Sequence, residues 1–223
     1  MSKSGELYFA FFGTSITEHL EAYSEETDRQ FKHLDIGSKI TIDEYMTAGY
    51  VKKVEALLKI YYPKCEIIVH NFGYSGGNTR DILDKAITTL KDSDTLYDYC
   101  FLEAGLNDVA RRIDRPKDAV YEEEYAENYA KILKELKNKS YKTVCMTSTP
   151  FETNENSLDL ALDSYNKVVK EIAKNLGIDC IDMNTRFKEL KDSVELYDDG
   201  RHLNDVGDTL MAKVISEFLI NGS

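Results

Sequence analysis

Residues 6–18 read Glu6-Leu7-Tyr8-Phe9-Ala10-Phe11-Phe12-Gly13-Thr14-Ser15-Ile16-Thr17-Glu18. The first seven form a short apolar, aromatic-rich run that stops at a glycine, which predicts a strand followed by a turn. Further runs of this kind follow at approximately 65–71, 97–104, 141–147 and 178–183. Between them the apolar residues recur with the 3.6-residue rhythm of amphipathic helices. One such face carries Leu158, Ala161, Leu162, Tyr165, Val168, Val169, Ile172 and Leu176, with Gly177 placed to end the helix in the left-handed conformation. A second carries Tyr50, Val51, Val54, Leu57, Leu58 and Tyr61 and is ended by Pro63. A third carries Tyr121, Tyr125, Tyr129, Leu133 and Leu136, and the last carries Val206, Leu210, Val214 and Phe218. These stripes read as core.

Strands that alternate with helices predict a parallel sheet joined by right-handed crossovers. The expected architecture is therefore α/β, a three-layer α/β/α sandwich around a five-stranded parallel sheet. With no Pro/Gly/Ser-rich linker and no internal repeat, residues 1–223 read as a single domain.

The remaining composition narrows the function classes. Apolar residues make up 42% and charged residues 30% of the chain, as in globular domains. With 28 basic against 40 acidic side chains, the net charge is −12 and the pI about 4.9. Nucleic acid and anionic membrane surfaces would be repelled, so neither is an expected partner. The apolar run from Leu7 to Phe12 is too short to span a bilayer, and no basic-then-apolar leader precedes it, so the expected location is cytoplasmic. Cys65, Cys100, Cys145 and Cys180 are widely spaced, each in or beside a strand-like run. They read as reduced, buried strand thiols rather than zinc ligands or a disulfide framework.

In open parallel sheets, ligands bind beyond the carboxyl ends of the strands. Four such places carry polar chemistry. After the first strand stands Ser15, either presenting its hydroxyl at the sheet edge or serving with Glu18 as a helix capping box. After the second comes Asn71-Phe72-Gly73-Tyr74-Ser75-Gly76-Gly77-Asn78-Thr79, where a glycine N–H could face an oxyanion or Asn78 or Thr79 could cap a helix. After the third comes Glu103-Ala104-Gly105-Leu106-Asn107-Asp108; Asn107 offers two amide N–H donors or caps a helix beginning at residue 108 or 109. Near the end, Asp199-x-x-His202 lets a carboxylate reach Nδ1 of the imidazole and leaves Nε2 facing a nucleophile. Of the other histidines, His19 reads as a surface or supporting residue, His33 as part of a polar loop, and His70 as a hydrogen-bonded core residue.

Taken together, serine after strand one, glycine after strand two, asparagine after strand three and Asp-x-x-His before the last helix resemble the SGNH (GDSL-type) hydrolase family. The resemblance runs from Gly13 to about Asn204. It implies a flavodoxin-like SGNH fold and a carboxylic ester hydrolase that works through an acyl-enzyme. Ser15 then corresponds to the nucleophile, His202 to the general acid/base and Asp199 to its orienting carboxylate, with Asp198 as the rival for that last role. The Ser15 N–H, the Gly76 N–H and the Asn107 side chain correspond to the oxyanion hole. Neither metal nor cofactor is needed. The implied substrate is a small-molecule ester of the short-chain acyl or acetyl type, including esters of carbohydrates or lysophospholipids; the oligomeric state is left open.

Two departures from the family pattern stand out. Aspartate usually precedes the serine, and here Thr14 does, without a carboxylate. The connection spanning about 23–47 is also longer than in compact members, and it holds a strand-like Lys39-Ile40-Thr41-Ile42. It reads either as a border of the substrate pocket or as surface decoration. Two other classes compete with an esterase: a non-catalytic ligand-binding module on the same fold, with Thr14 as its symptom, and a flavodoxin-like or receiver-type regulatory domain. The latter calls for an acidic cluster or flavin loop where Gly13-Thr14-Ser15 stands.

Overall fold

The computed structural model describes residues 5–19, 42–91, 93–152 and 156–221. Five strands form one parallel sheet: β1 (Gly5–Gly13), β2 (Cys65–Gly73), β3 (Tyr97–Glu103), β4 (Ser140–Met146) and β5 (Asp179–Ile181), in the spatial order β2-β1-β3-β4-β5. All five expected strands are present. The fifth is shorter than the 178–183 expected, because Asp182 leaves the sheet to cap the next helix, its carboxylate accepting from Thr185 N.

The helices are α1 (Ser15–Glu18), α2 (Ile42–Thr47), α3 (Tyr50–Tyr61), α4 (Thr79–Lys91), α5 (Leu106–Asp114), α6 (Glu122–Asn138), α7 (Asn156–Leu176), α8 (Met183–Lys188) and α9 (Asp205–Asn221). Chain reversal explains the layers. The step from β1 to β2 runs one way along the sheet, and every later step runs the other way. Right-handed crossovers therefore put α3 on one face and α4, α6 and α7 on the opposite face. The packing follows: α3 lies against α9, while α4, α6 and α7 form a row.

Register assembles the core. Phe9 pairs with Tyr99 and Phe11 with Phe101, and their rings stack at 5.7 and 4.7 Å. Of the tyrosines expected as core, Tyr50, Tyr125, Tyr129 and Tyr165 are buried, whereas Tyr61 and Tyr121, at the last residue of α3 and just before α6, are exposed. Each buried one finds a partner for its hydroxyl, for example Tyr125 donating to Ala104 O at 2.8 Å, as buried phenols require. Gly177 takes φ +62° and ends α7 as its sequence position suggested. Residue 49 is a glycine without a capping side chain, so α3 borrows one: Tyr50 N donates to Asp208 Oδ1 of α9 at 2.9 Å.

Several local expectations are corrected. Ile42 lies in helix α2 rather than closing a strand, in keeping with Asp43 beside it, an acidic residue favoured near a helix start. The rest of the strand-like stretch, His33, and most of the 23–47 connection lie outside the described residues. Cys100 and Cys145 are buried, whereas Cys65 and Cys180 are only partly so; none is in a disulfide. Burial pushes the Cys100 thiol up to about 12. Among the described residues no helix is long and apolar enough to cross a membrane.

Candidate active site

The direction of chain reversal leaves a crevice beyond the carboxyl ends of β1 and β3, and that is where the polar motifs converge. Ser15 is the first residue of α1, a single turn that follows β1 directly. The capping-box reading of Ser15 is not what forms. Thr14 is the cap, its hydroxyl accepting from Ile16 N, which frees the Ser15 hydroxyl to face outward from the turn. As the first helical residue, Ser15 also has its N–H among those without an intrahelical acceptor.

Ser15 Oγ lies 3.0 Å from His202 Nε2. On the far side of the ring, Nδ1 lies 2.7 Å from Asp199 Oδ2. The other carboxylate oxygen accepts from the backbone N–H groups of His202 and Arg201 at 2.7 and 2.9 Å. Burial alone would raise the Asp199 carboxyl; the bonds from His202 and from those two N–H groups outweigh it and hold the group well below the usual carboxylate range. Asp198 does not take this place: its backbone N–H bonds His202 O across the turn. His19 packs edge-on against the His202 ring, with centroids 6.0 Å apart. His70 is half-buried and shares a 2.8 Å hydrogen bond with the Tyr97 hydroxyl, as expected of a core histidine.

The turn after β2 and the start of α5 meet beside Ser15. Gly76 adopts φ +72°, a conformation that a side chain disfavours. Asn78 caps α4, with Oδ1 accepting from Arg80 N and Asp81 N, so the cap reading of Asn78 holds. Asn107 is not a cap. The helix begins one residue earlier, at Leu106, with Gly105 as its cap. One Asn107 N–H donates to Gly77 O at 2.9 Å, which sets the amide against the glycine turn.

Four supporting contacts could not be read from the sequence. Arg111, one helical turn beyond Asn107, donates to Gly76 O at 2.7 Å. Thr14 meets a carboxyl group from another strand: Glu103, fully buried at the end of β3, accepts from Thr14 Oγ1 at 3.0 Å and Ser148 Oγ at 3.2 Å, and burial pushes its pKa up against the lowering by these bonds. Thr17 and Tyr50 share a buried hydroxyl hydrogen bond at 2.8 Å that fixes α1 on α3. Arg201 pairs with Asp114. Only weak signals preceded these: an acidic residue closing an apolar strand, and the i, i+4 spacing of 107 and 111.

Asp108 anchors the other end of the glycine turn, its Oδ1 accepting from Thr79 N at 3.0 Å and Thr79 Oγ1 at 2.5 Å. Its Oδ2 is buried and has no hydrogen-bond partner among the described residues. Burial pushes this carboxyl from its ordinary 3.8 up to about 6, against the lowering by Thr79. Because the folded value is the higher one, the stability it contributes is full below about pH 4 and is lost as pH rises through about 6. We expect the wild type to lose about 2 kcal/mol more than Asp108→Asn between pH 4 and pH 6.5, read from urea unfolding by circular dichroism. Equal losses would mean that Asp108 ionises as freely folded as unfolded.

A separate open groove of about 670 Å³ runs along the free edge of β2, lined by Glu66, Val69, His70, Asn71 and Tyr97 among others, and none of Ser15, Asp199 or His202 borders it.

The chain is similar to known proteins over most of its length. Residues 11–210 match the GDSL-like Lipase/Acylhydrolase family. The chain is 31% identical over 149 residues to an acetylxylan esterase of Geobacillus stearothermophilus, covering 64% of this chain and 66% of the relative. It is 27% identical over 166 residues to the human isoamyl acetate-hydrolyzing esterase 1 homolog, covering 66% of each. The matched stretch thus spans just under two thirds of these curated relatives. Among solved structures, a variant of the acetyl xylan esterase from Geobacillus stearothermophilus superposes with a TM-score of 0.74 at 26% identity, covering 96% of this chain and 95% of that one.

Proposed function

The chain belongs to the GDSL-like lipase/acylhydrolase family, and on that premise we propose that it is a serine esterase that removes short acyl groups, acetyl above all, from small alcohol or carbohydrate esters. One observation carries the reading: a hydroxyl, an imidazole and a carboxylate in line, with Ser15 Oγ 3.0 Å from Nε2 and Nδ1 2.7 Å from Asp199.

The chemistry follows from those contacts. His202 Nε2 accepts the Ser15 proton as Oγ attacks the ester carbonyl carbon. The carbonyl π electrons move onto oxygen, where the N–H groups of Ser15 and Gly76 and the second N–H of Asn107 stabilise the charge. Each such donor contributes about 3 kcal/mol. The intermediate collapses, the C–O bond to the alcohol breaks, and the leaving oxygen takes the proton from His202. Water then attacks the acyl-Ser15 ester by the same route, its proton passing through His202 back to Oγ, and the acid leaves. Asp199, anionic and doubly held by backbone N–H groups, keeps the ring in the tautomer this cycle needs.

Support for acetyl esters comes from the two curated relatives, both named for acetate-ester hydrolysis. The competing picture of a module without turnover rested on Thr14; with Glu103 supplying a carboxyl group beneath that residue, it has no separate support.

The test is a labelling and substrate experiment. A fluorophosphonate probe is expected to label the wild type at Ser15 within minutes and to leave Ser15→Ala unlabelled. On 4-nitrophenyl esters the specificity constant is expected to be at least about tenfold higher for acetate than for octanoate, the order of discrimination that acyl pockets achieve. Acetylated xylo-oligosaccharides are expected to release acetate. Absence of labelling with no turnover of any ester would favour the binding module.

A further inference from the structure

The loop that carries Asp199 and His202 is internally stiff. Tyr197 and Leu203 form an antiparallel bridge, Asp198 N bonds His202 O at 3.0 Å, and Asn204 N bonds Leu196 O at 3.1 Å. Besides the His202 contacts with Ser15 and His19, two polar contacts tie the tip of this hairpin to neighbouring elements. Glu152 N donates to Gly200 O at 2.8 Å. Arg201 reaches across to Asp114 at the last turn of α5 with a two-pronged contact, Nη1 to Oδ2 at 2.6 Å and Nη2 to Oδ1 at 3.3 Å. Its guanidinium also lies 5.9 Å from the Phe151 ring centre.

The far partner is what gives this ion pair meaning. Asn107, Arg111 and Asp114 stand at i, i+4 and i+7, along one face of α5. The first holds Gly77 O, the second Gly76 O and the third Arg201. One nine-residue helix therefore grips both the turn proposed to bind the oxyanion and the hairpin proposed to bear the base. Leu196, Tyr197 and Leu203 root the base of the hairpin in the core, and the Asp114 contact fixes its tip against α5.

Resting on the esterase reading above, we infer that Asp114 and Arg201 are positioning residues: their ion pair sets the distance between the His202 imidazole and the oxyanion donors, so that turnover rather than substrate affinity depends on it. An ordinary surface pair would not behave in this way. Both side chains are 32% exposed, and pairs so placed contribute little to stability. Positioning is more sensitive, since a displacement of about 1 Å at reacting groups costs roughly 10²-fold in rate. The fork geometry of arginine suits the task, because it fixes direction as well as distance.

The experiment measures kcat, KM, melting temperature and the rate of fluorophosphonate labelling for Asp114→Ala, Arg201→Ala, Arg201→Lys and the double alanine variant. Each single alanine is expected to lower kcat and labelling rate about 10- to 100-fold with KM within about threefold, and melting temperature within about 4 °C. Arg201→Lys, which keeps the charge but loses the fork, is expected to fall between. The double variant is expected to be no slower than the slower single, because a broken tether cannot be broken twice. Sodium chloride at 1 M is expected to slow the wild type more than the double variant. Unchanged kcat, a loss confined to KM, or losses that multiply in the double variant would each overturn the inference while leaving the esterase reading intact. Turnover retained in Ser15→Ala would overturn the reading beneath it instead.

Discussion

Ser15→Ala is expected to lower kcat on 4-nitrophenyl acetate by about 10⁶-fold, and His202→Ala by a similar factor. The reason lies in how the two groups share one task. Oγ is a poor nucleophile until its proton has a destination, and the destination is Nε2, 3.0 Å away. Removing either group leaves the other without work, so the Ser15→Ala/His202→Ala double variant is expected to be no slower than the singles. A residual rate of about 10³–10⁴ over water is expected in all three, because the oxyanion donors proposed at Gly76 and Asn107 remain. Folding should be little affected: the lost hydrogen bond is partly exposed at its His202 end, and such bonds contribute about 1 kcal/mol. Kinetics and urea unfolding on the same preparations separate the two quantities. Retention of more than about a hundredth of wild-type kcat in Ser15→Ala would place the chemistry elsewhere.

Asp199→Asn is expected to cost about 10⁴-fold in kcat with the fold and the loop intact. Asparagine is nearly isosteric, and its amide oxygen can still accept from the backbone N–H groups of Arg201 and His202 that now hold Oδ1. Its NH₂ group would then face Nδ1 and donate to it. That inverts the ring: Nδ1 becomes the acceptor, Nε2 carries the hydrogen, and Ser15 has no base. The charge is lost as well, and with it the stabilisation of the imidazolium formed during attack. In the wild type, Asp199 is held well below the usual carboxylate range, so it stays anionic through mildly acid and neutral pH. An acid limb in the rate profile between pH 5 and 8 would therefore report a different group. A loss under tenfold in Asp199→Asn would show that the ring needs no carboxylate to orient it.

The parts of this molecule that were legible in the sequence are those written in local periodicity. The runs ending at Phe12, Asn71, Ala104 and Thr147 announce strands because apolar residues buried on both sides of a parallel sheet leave few polar positions. The rule that chemistry sits beyond strand ends then pointed to four stretches, within which the family resemblance implied Ser15, Gly76, Asn107 and His202, and the structure brings those stretches together. What stayed hidden depends on which side chains meet across crossovers. Nothing near residue 14 signals that Glu103, 89 positions away, lies beneath it. Nothing near Arg201 signals Asp114, 87 positions away. The cap alternative for Asn107 fails for a related reason. A glycine cap at 105 carries no side-chain hydrogen bond to advertise itself, and Asn107, the residue type that usually advertises a cap, is engaged with Gly77 instead.

The hydroxyl and the imidazole are 187 residues apart in the chain, and that separation has a consequence for biosynthesis. At ribosomal rates of about 5–20 residues per second, Ser15, the proposed nucleophile, waits on the order of ten to forty seconds for its proposed base to be made. Until then β1 and its turn exist without a proton acceptor, and any product released before residue 202 is hydrolytically silent. Competence arrives abruptly, when the last hairpin docks and α9 settles against α3, so the cell meets either an inert fragment or a finished catalyst.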